Sequence, residues 1–304
     1  MPTKSRCFAP VRGKAMRATK VDACGAPIFG EDSSVVTEGF VSIAFTANTD
    51  DGEEISVTNA AGKVCVRDTP CPKFLNYGIE IEFCNVDPYL YAMLTGQAVI
   101  YDPVSGDAIG FTVSTAADAC AQGFALEVWT GAPGGQCGNG VEPGGYILMP
   151  FVQGGVIGDF TIENGAISFT VTGAITKDGS SWGTGPYPIE AGEVLPKAIT
   201  KTDHMLILQT TMTVPTPYCG PVPTLDPADA ALTGVTADAT LLSVDFSPTP
   251  VGTDPWWVDF GDGEWDYSAT GADITHVYDA AGTYTYTAYR GATSFTGTVT
   301  VTAA

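Results

Sequence analysis

Gly78-Ile79-Glu80-Ile81-Glu82-Phe83-Cys84 runs directly into Asn85-Val86-Asp87-Pro88-Tyr89-Leu90-Tyr91-Ala92-Met93-Leu94-Thr95-Gly96. The first seven residues alternate without a fault, and a period of two puts Ile79, Ile81 and Phe83 on one face of a strand and Glu80 and Glu82 on the other. One face reads as core and the opposite face as strongly negative. Asp87 then supplies an N-cap, Pro88 suits the first helical position, Leu90 and Leu94 share a face, and Gly96 ends the turn. No other segment carries so complete a helical signature.

Working outward from this point, the chain reads as all-β. Thirty-six glycines and 21 prolines punctuate 304 residues, and the apolar residues between them fall in short alternating runs. Phe40 to Ala47 alternates as a strand. Asn48-Thr49-Asp50-Asp51-Gly52-Glu53-Glu54 is an acidic loop before Ile55-Ser56-Val57-Thr58. Further strands are expected at 108–114, 124–129, 204–213, 241–246, 256–260, 283–289 and 295–301. Asn164-Gly165, flanked by alternating residues, marks a tight hairpin, because both central positions of a type I′ turn need positive φ. Residues 1 to about 35 show no sustained period and read as an arm plus loop. Pro215, Pro217, Pro221, Pro223 and Pro227 read as a semi-rigid linker, which divides the chain into residues 1–223 and 224–304.

Formal net charge is −21, so phosphate backbones are repelled by most of the surface and stable nucleic-acid binding is disfavoured. The charge is unevenly spread. Lys4, Arg6, Arg12, Lys14, Arg17 and Lys20 are six of the 13 basic residues, and no acid precedes Asp22. Such a basic arm on an acidic body suits docking onto an acidic neighbouring subunit, with a solvated tail and nucleic-acid contact as the other readings. In residues 224–304 eleven acids face the single base Arg290. Neither a secretory leader nor a membrane span is expected, since Cys7-Phe8-Ala9-Pro10-Val11-Arg12 breaks off too soon and no apolar run approaches the required length. The eight cysteines contain no C-x-x-C pair. They read as buried thiols with one or two late disulfides, and no metal or other cofactor is expected.

An enzyme is not expected. His204 precedes the apolar run Met205-Leu206-Ile207-Leu208 and reads as a strand-end or inter-subunit histidine, and no two carboxylates stand out as a catalytic pair. Asp259-Phe260-Gly261 spells a kinase magnesium motif but lacks the phosphate loop and lysine that accompany it.

Val258-Asp259-Phe260-Gly261-Asp262-Gly263, followed by His276-Val277-Tyr278 and Ala281-Gly282-Thr283-Tyr284-Thr285, resembles the PKD family of immunoglobulin-like domains over residues 224–304. The resemblance implies a β-sandwich in which Asp259, Gly261, Asp262 and Gly263 form a structural turn, with a calcium site at Asp262 as the weaker reading. The family often has Trp two residues before the Phe; here that position is Val258, with Trp256 and Trp257 just upstream.

Residues 1–214 resemble the tail tube proteins of siphophages, particularly those infecting actinobacteria. The features that carry this are the basic arm, the acidic strand feeding Asp87 to Gly96, and Gly158 to Gly165 leading to Trp182-Gly183-Thr184-Gly185-Pro186-Tyr187. The resemblance implies a β-sandwich flanked by one helix, with a long hairpin loop and a terminal arm that reach neighbouring copies. It further implies six copies per ring, a continuous inner β-barrel, and rings stacked around a tape measure protein between terminator and tip proteins. On this reading Lys4, Arg6, Arg12, Lys14 and Arg17 belong to the subunit interface. Asp50, Asp51, Glu53, Glu54, Glu80 and Glu82 line the lumen or the ring interface, where genomic DNA passes without binding. The protein is then expected in the virion tail, assembled in host cytoplasm, with no membrane partner and with room for weak glycan contact through the C-terminal domain. The competing reading is a secreted or surface carbohydrate-binding protein, for which Trp129, Tyr146, Trp182 and Tyr187 offer candidate stacking rings.

Overall fold

A computed structural model describes residues 10–85, 87–121, 123–131, 144–160, 167–179, 181–185, 195–210 and 214–303. Lys4, Arg6, the Asn164-Gly165 turn and Tyr187 lie outside the described residues, as do Cys7 and Cys137. The chain is all-β with one helix among those residues.

The first unit contains, in chain order, β1 (Val11–Val21), β2 (Gly30–Thr37), β3 (Phe40–Asp50), β4 (Ile55–Thr58), β5 (Val64–Asp68), β6 (Lys73–Phe83), α1 (Pro88–Thr95), β7 (Val99–Tyr101), β8 (Ala108–Phe111), β9 (Gly123–Gly131), β10 (Gly144–Gln153), β11 (Val156–Ile157), β12 (Phe169–Thr176), β13 (Leu206–Thr210) and β14 (Val222–Thr224). Ten of these strands form one antiparallel sheet in the order β14-β2-β1-β9-β10-β12-β6-β3, with β13 added to β10 and β11 to β12. The link between β10 and β12 rests on two residue pairs, Val152–Thr176 and Gln153–Ile175. Both halves of the sheet contribute to one core beneath α1, where Met16, Ala18, Phe124 and Leu126 join Ile79, Ile81 and Phe83 around Leu90, Tyr91 and Leu94. Each Leu, Ile, Met or Phe side chain so buried stabilises the fold by about 1.5–3 kcal/mol.

The alternation at Ile79, Ile81 and Phe83 and the helix after it have the expected form. Asp87 Oδ1 accepts hydrogen bonds from the Tyr89 and Leu90 amides at 2.8 and 3.2 Å, and Gly96 sits at φ 69°. A side chain at Gly96 would press on the Asp118 carbonyl, so the helix stop and the packing of the next loop need the same glycine.

The N-terminal region corrects the expected arm and loop. Residues 11–21 are not an arm: β1 lies inside the sheet between β2 and β9. Its residues 15–19 are buried on both faces, which removes the polar alternation that would have revealed a strand. The second face packs Ala125, Trp129, Tyr146 and Leu148 against Trp182, Leu195 and Ile199. β10, with its run Tyr146-Ile147-Leu148-Met149-Pro150-Phe151-Val152, was hidden for the same reason.

The second unit contains β15 (Gly234–Thr240), β16 (Ser243–Thr249), β17 (Trp256–Asp259), β18 (Trp265–Ser268), β19 (Ile274–Val277), β20 (Gly282–Arg290) and β21 (Thr293–Val301). Sheets β15-β16-β19 and β18-β17-β20-β21 enclose a separate core that includes Val244, Phe246, Trp256, Val258, Phe260, Tyr278 and Tyr286. Trp256 and Val258 are both fully buried in this core, and Trp256 donates its indole N–H to the Ala272 carbonyl at 2.8 Å. The Asp259–Gly263 turn is built as expected. Asp259 Oδ1 accepts from the Gly261 amide at 2.9 Å and Asp262 Oδ1 from the Glu264 amide at 3.1 Å, while Gly261 and Gly263 have φ of 81° and 99°. A Cβ at Gly261 would run into the Thr285 carbonyl. Asp262 Oδ2 lies 2.7 Å from His276 Nε2, and the imidazole stacks on Phe260 at 3.9 Å between centroids. His276 is thereby part of the turn.

The boundary at residue 223 falls inside β14, which pairs with β2, so the first unit's hydrogen bonding extends through Thr224.

Candidate assembly surfaces

β3 forms one edge of the large sheet, and among the described residues nothing pairs along its outer side. An open strand of this length is a template for pairing with another chain, and proteins that avoid such pairing place Lys or Pro there. Phe40 to Thr49 contains neither. On the face turned away from the core, Ser42 and Ala44 lie opposite Glu82 and Glu80, and Thr170 of β12 lies opposite Glu82 on its other side. Glu80 is exposed and Glu82 half-buried. The outcome is a hydroxyl- and carboxylate-bearing sheet face beside an open edge.

Beyond Asp50 the β3–β6 hairpin continues into the two-stranded ribbon β4–β5, which belongs to no larger sheet. Val57 pairs with Val66 and Ile55 with Asp68, so Ile55, Val57 and Val66 share one face, each 51–53 % exposed. A two-stranded ribbon that buries nothing is marginal in water. The exposed Glu54–Arg67 pair at 2.7 Å adds little, since surface ion pairs contribute about 0–1 kcal/mol. The ribbon therefore has the character of an element that is completed by another surface.

The acids expected at the lumen or ring interface fall into two groups. Glu80 and Glu82 are on the sheet face. Asp50, Asp51, Glu53 and Glu54 sit at the base of the ribbon, with Asp50 opposite Lys73. Six residues of strand separate Asp50 from Ala44, the partner of Glu80, which is roughly 20 Å at about 3.3 Å per residue. The structure does not bring the six together as one patch.

The basic residues also separate. Arg12 and Lys14 are exposed at the irregular start of β1, and Lys20 Nζ lies 5.9 Å from the centre of the Tyr89 ring. Arg17 is not displayed as an interface residue would be. It is 6 % exposed and forms a two-bond pair with Glu127, Nε to Oε2 at 2.6 Å and Nη2 to Oε1 at 2.9 Å. The Tyr146 hydroxyl donates to the same carboxylate at 2.6 Å, and the guanidinium lies 5.5 Å from the centre of the Trp129 ring. No signal in the sequence distinguished Arg17 from its basic neighbours; its partner is 110 residues away.

No protein-family model matches the chain, and none of the curated proteins compared with it does.

Other expected features are also relocated. Trp129, Tyr146 and Trp182 are core residues and offer no exposed ring to a sugar. His204 stands two residues before β13, as expected of a strand-end histidine; its Nδ1 is 3.0 Å from Thr176 Oγ1, and the ring meets Phe74 edge-on at 5.3 Å. The thiols expected to be buried are exposed: Cys24, Cys65, Cys71, Cys84, Cys120 and Cys219 are free and at the surface. Arg290, the one base of the second unit, is fully buried, with both Nη atoms donating to the Pro250 carbonyl at 2.8 and 2.7 Å. The surface of the C-terminal sandwich thus presents acids and no base. Among the described residues no helix is long and apolar enough to cross a membrane.

Proposed function

We propose that this chain is a structural virion protein that polymerises as stacked, six-membered rings into the tail tube of a siphophage, with a PKD-like sandwich at its C-terminus. The observation that carries this reading is β3, eleven residues long and open at its outer edge, continuing into an exposed apolar ribbon. Edge pairing joins copies within a layer, where closure removes open edges, and the ribbon reaches the next layer, where repeated head-to-tail contacts extend a tube. Tape measure, terminator and tip proteins are the partners this role implies. Genomic DNA passes through without adhering, because carboxylates repel phosphates. The sugar-binding alternative is weakened by the burial of three of its four candidate rings.

Negative-stain electron microscopy across a concentration series tests the proposal. Hollow tubes or six-fold rings are expected, and compact monodisperse particles at every concentration would overturn it. Glu80→Lys with Glu82→Lys is expected to leave tubes intact while slowing or blocking DNA release from virions that carry it. Unchanged ejection kinetics would remove these two acids from the lumen.

A further inference from the structure

Two carboxylates, one on each unit, divide their oxygens in the same way. Asp87 uses Oδ1 for the N-cap of α1 and offers Oδ2 to the Gly220 amide at 2.8 Å. Asp259 uses Oδ1 for the turn after β17 and accepts the Tyr218 phenol on Oδ2. Tyr218 and Gly220 are two residues apart in the proline-rich segment that reads, by composition, as a spacer. The same segment lies along the edge of β2. The Tyr218 amide donates to the Val36 carbonyl at 3.3 Å, Ser34 Oγ donates to the Val222 carbonyl at 3.0 Å, and the Thr224 amide donates to Ser33 Oγ at 2.7 Å. The Tyr218 ring also meets Trp257 at 6.5 Å between centroids, and Trp257 stacks on Tyr289 at 4.4 Å. Between Arg17, Val36, Pro215, Val222, Trp257 and Tyr289 there remains a cavity of about 40 Å³, space for little more than a water. Burial, together with hydrogen bonding to the Asp259 carboxylate, raises the Tyr218 pKa well above that of an ordinary phenol, so the hydroxyl stays a donor across the physiological range.

We infer that Tyr218–Thr224 is a strap rather than a spacer, and that the Tyr218–Asp259 bond and the Trp257 contact latch the C-terminal sandwich in one orientation on the large sheet. The Trp257–Tyr289 face is an interaction surface whose partner is the chain's own strap. Composition argues for a loosely jointed appendage; the two shared carboxylates argue for one body. If the tube reading above holds, every copy would carry its sandwich at the same angle, giving a regular outer array. The latch itself does not depend on that reading.

The test uses the full chain at concentrations where it is monomeric. Small-angle scattering of the wild type is expected to fit a single conformer, and proteinase K is expected to cut slowly between residues 214 and 233. Tyr218→Ala removes both the phenol and the ring contact, and Tyr218→Phe removes the hydroxyl alone. Since a hydrogen bond to a charged group is worth a factor of about ten or more in the closed population, both variants should raise the cutting rate by about tenfold or more and increase the maximum dimension. Tyr101→Phe, which removes an exposed phenol that bonds to Tyr89 and not to Asp259, should change neither. Wild-type scattering that requires many orientations, or Tyr218→Phe cut at the wild-type rate, would overturn the inference. Should Tyr218→Ala fail to fold, the near-isosteric Phe variant still decides. Tube formation is scored separately by microscopy, so loss of the latch and loss of assembly are read independently.

Discussion

Glu127→Ala will destabilise the first unit by about 3–5 kcal/mol, the cost of breaking a buried ion pair from one side. Glu127 is 0 % exposed and Arg17 is 6 % exposed, so the variant leaves a guanidinium in the interior without its carboxylate and takes away the acceptor of the Tyr146 hydroxyl. Trp129, Tyr146 and Leu148, buried beside the pair, offer no second carboxylate to take the place of Glu127. Arg17→Lys is also expected to be costly: an ammonium makes neither the two-bond geometry nor the stack over Trp129. The double replacement Arg17→Met with Glu127→Leu is different. Both charges leave together, and a well-packed apolar pair is expected to be near neutral or stabilising. Urea unfolding followed by circular dichroism checks the series. An Ala variant within about 0.5 kcal/mol of wild type would mean that water reaches the pair. The comparison also asks why an ion pair occupies a central strand at all. Fixing the register of β1 against β9 is one answer, and the double variant tests it by whether a single ordered state survives.

The second large effect is on assembly. Val57→Lys with Val66→Lys places two ammonium groups on the apolar face of the β4–β5 ribbon. If that face is covered in the polymer, two branched side chains that would each contribute about 1.5 kcal/mol or more on burial are lost, and charge desolvation is added. The lowest concentration at which tubes form should rise about a hundredfold or more, since each 1.4 kcal/mol is a factor of ten. The monomer should hardly notice, because exposed substitutions away from buried features stay within about 0.5 kcal/mol. Val104→Lys and Val251→Lys, at sites 94 % and 84 % exposed on other loops, serve as controls and should assemble normally. Tubes forming at the wild-type concentration in the ribbon variant would show that the ribbon is not a contact.

The acidity of the second unit acquires a sharper meaning from Arg290. Eleven acids against one base describes a composition; with that base buried against the Pro250 carbonyl, the outer surface carries only negative charge. Such a domain keeps its neighbours at a distance and favours solubility over self-contact. If the chain polymerises as proposed, crowding of these domains on the polymer would be opposed by charge.

What the sequence by itself determined were the features whose cause is local. The Ile79-Glu80-Ile81-Glu82-Phe83 strand was legible because one of its faces meets the core and the other meets solvent. Helix α1 was legible because Asp87, Pro88 and Gly96 each act within a turn. The Asp259–Gly263 turn belongs with these, since its hydrogen bonds run between residues two apart and its glycines are required by positive φ.

Only the tertiary structure decided the rest, and the reason is the same in each case. β1 and β10 are covered on both faces, so their polarity pattern carries no period. Arg17 resembles any other basic residue until Glu127, far along the chain, is folded over it. Tyr218 sits in a segment whose composition says spacer, yet its partners come from β2, from the N-terminus of α1 through its neighbour Gly220, and from the turn of the other unit. A residue whose energetic role is set by contacts distant in sequence leaves no mark in its neighbourhood, and the interior ion pair, the open edge and the strap are all of that kind.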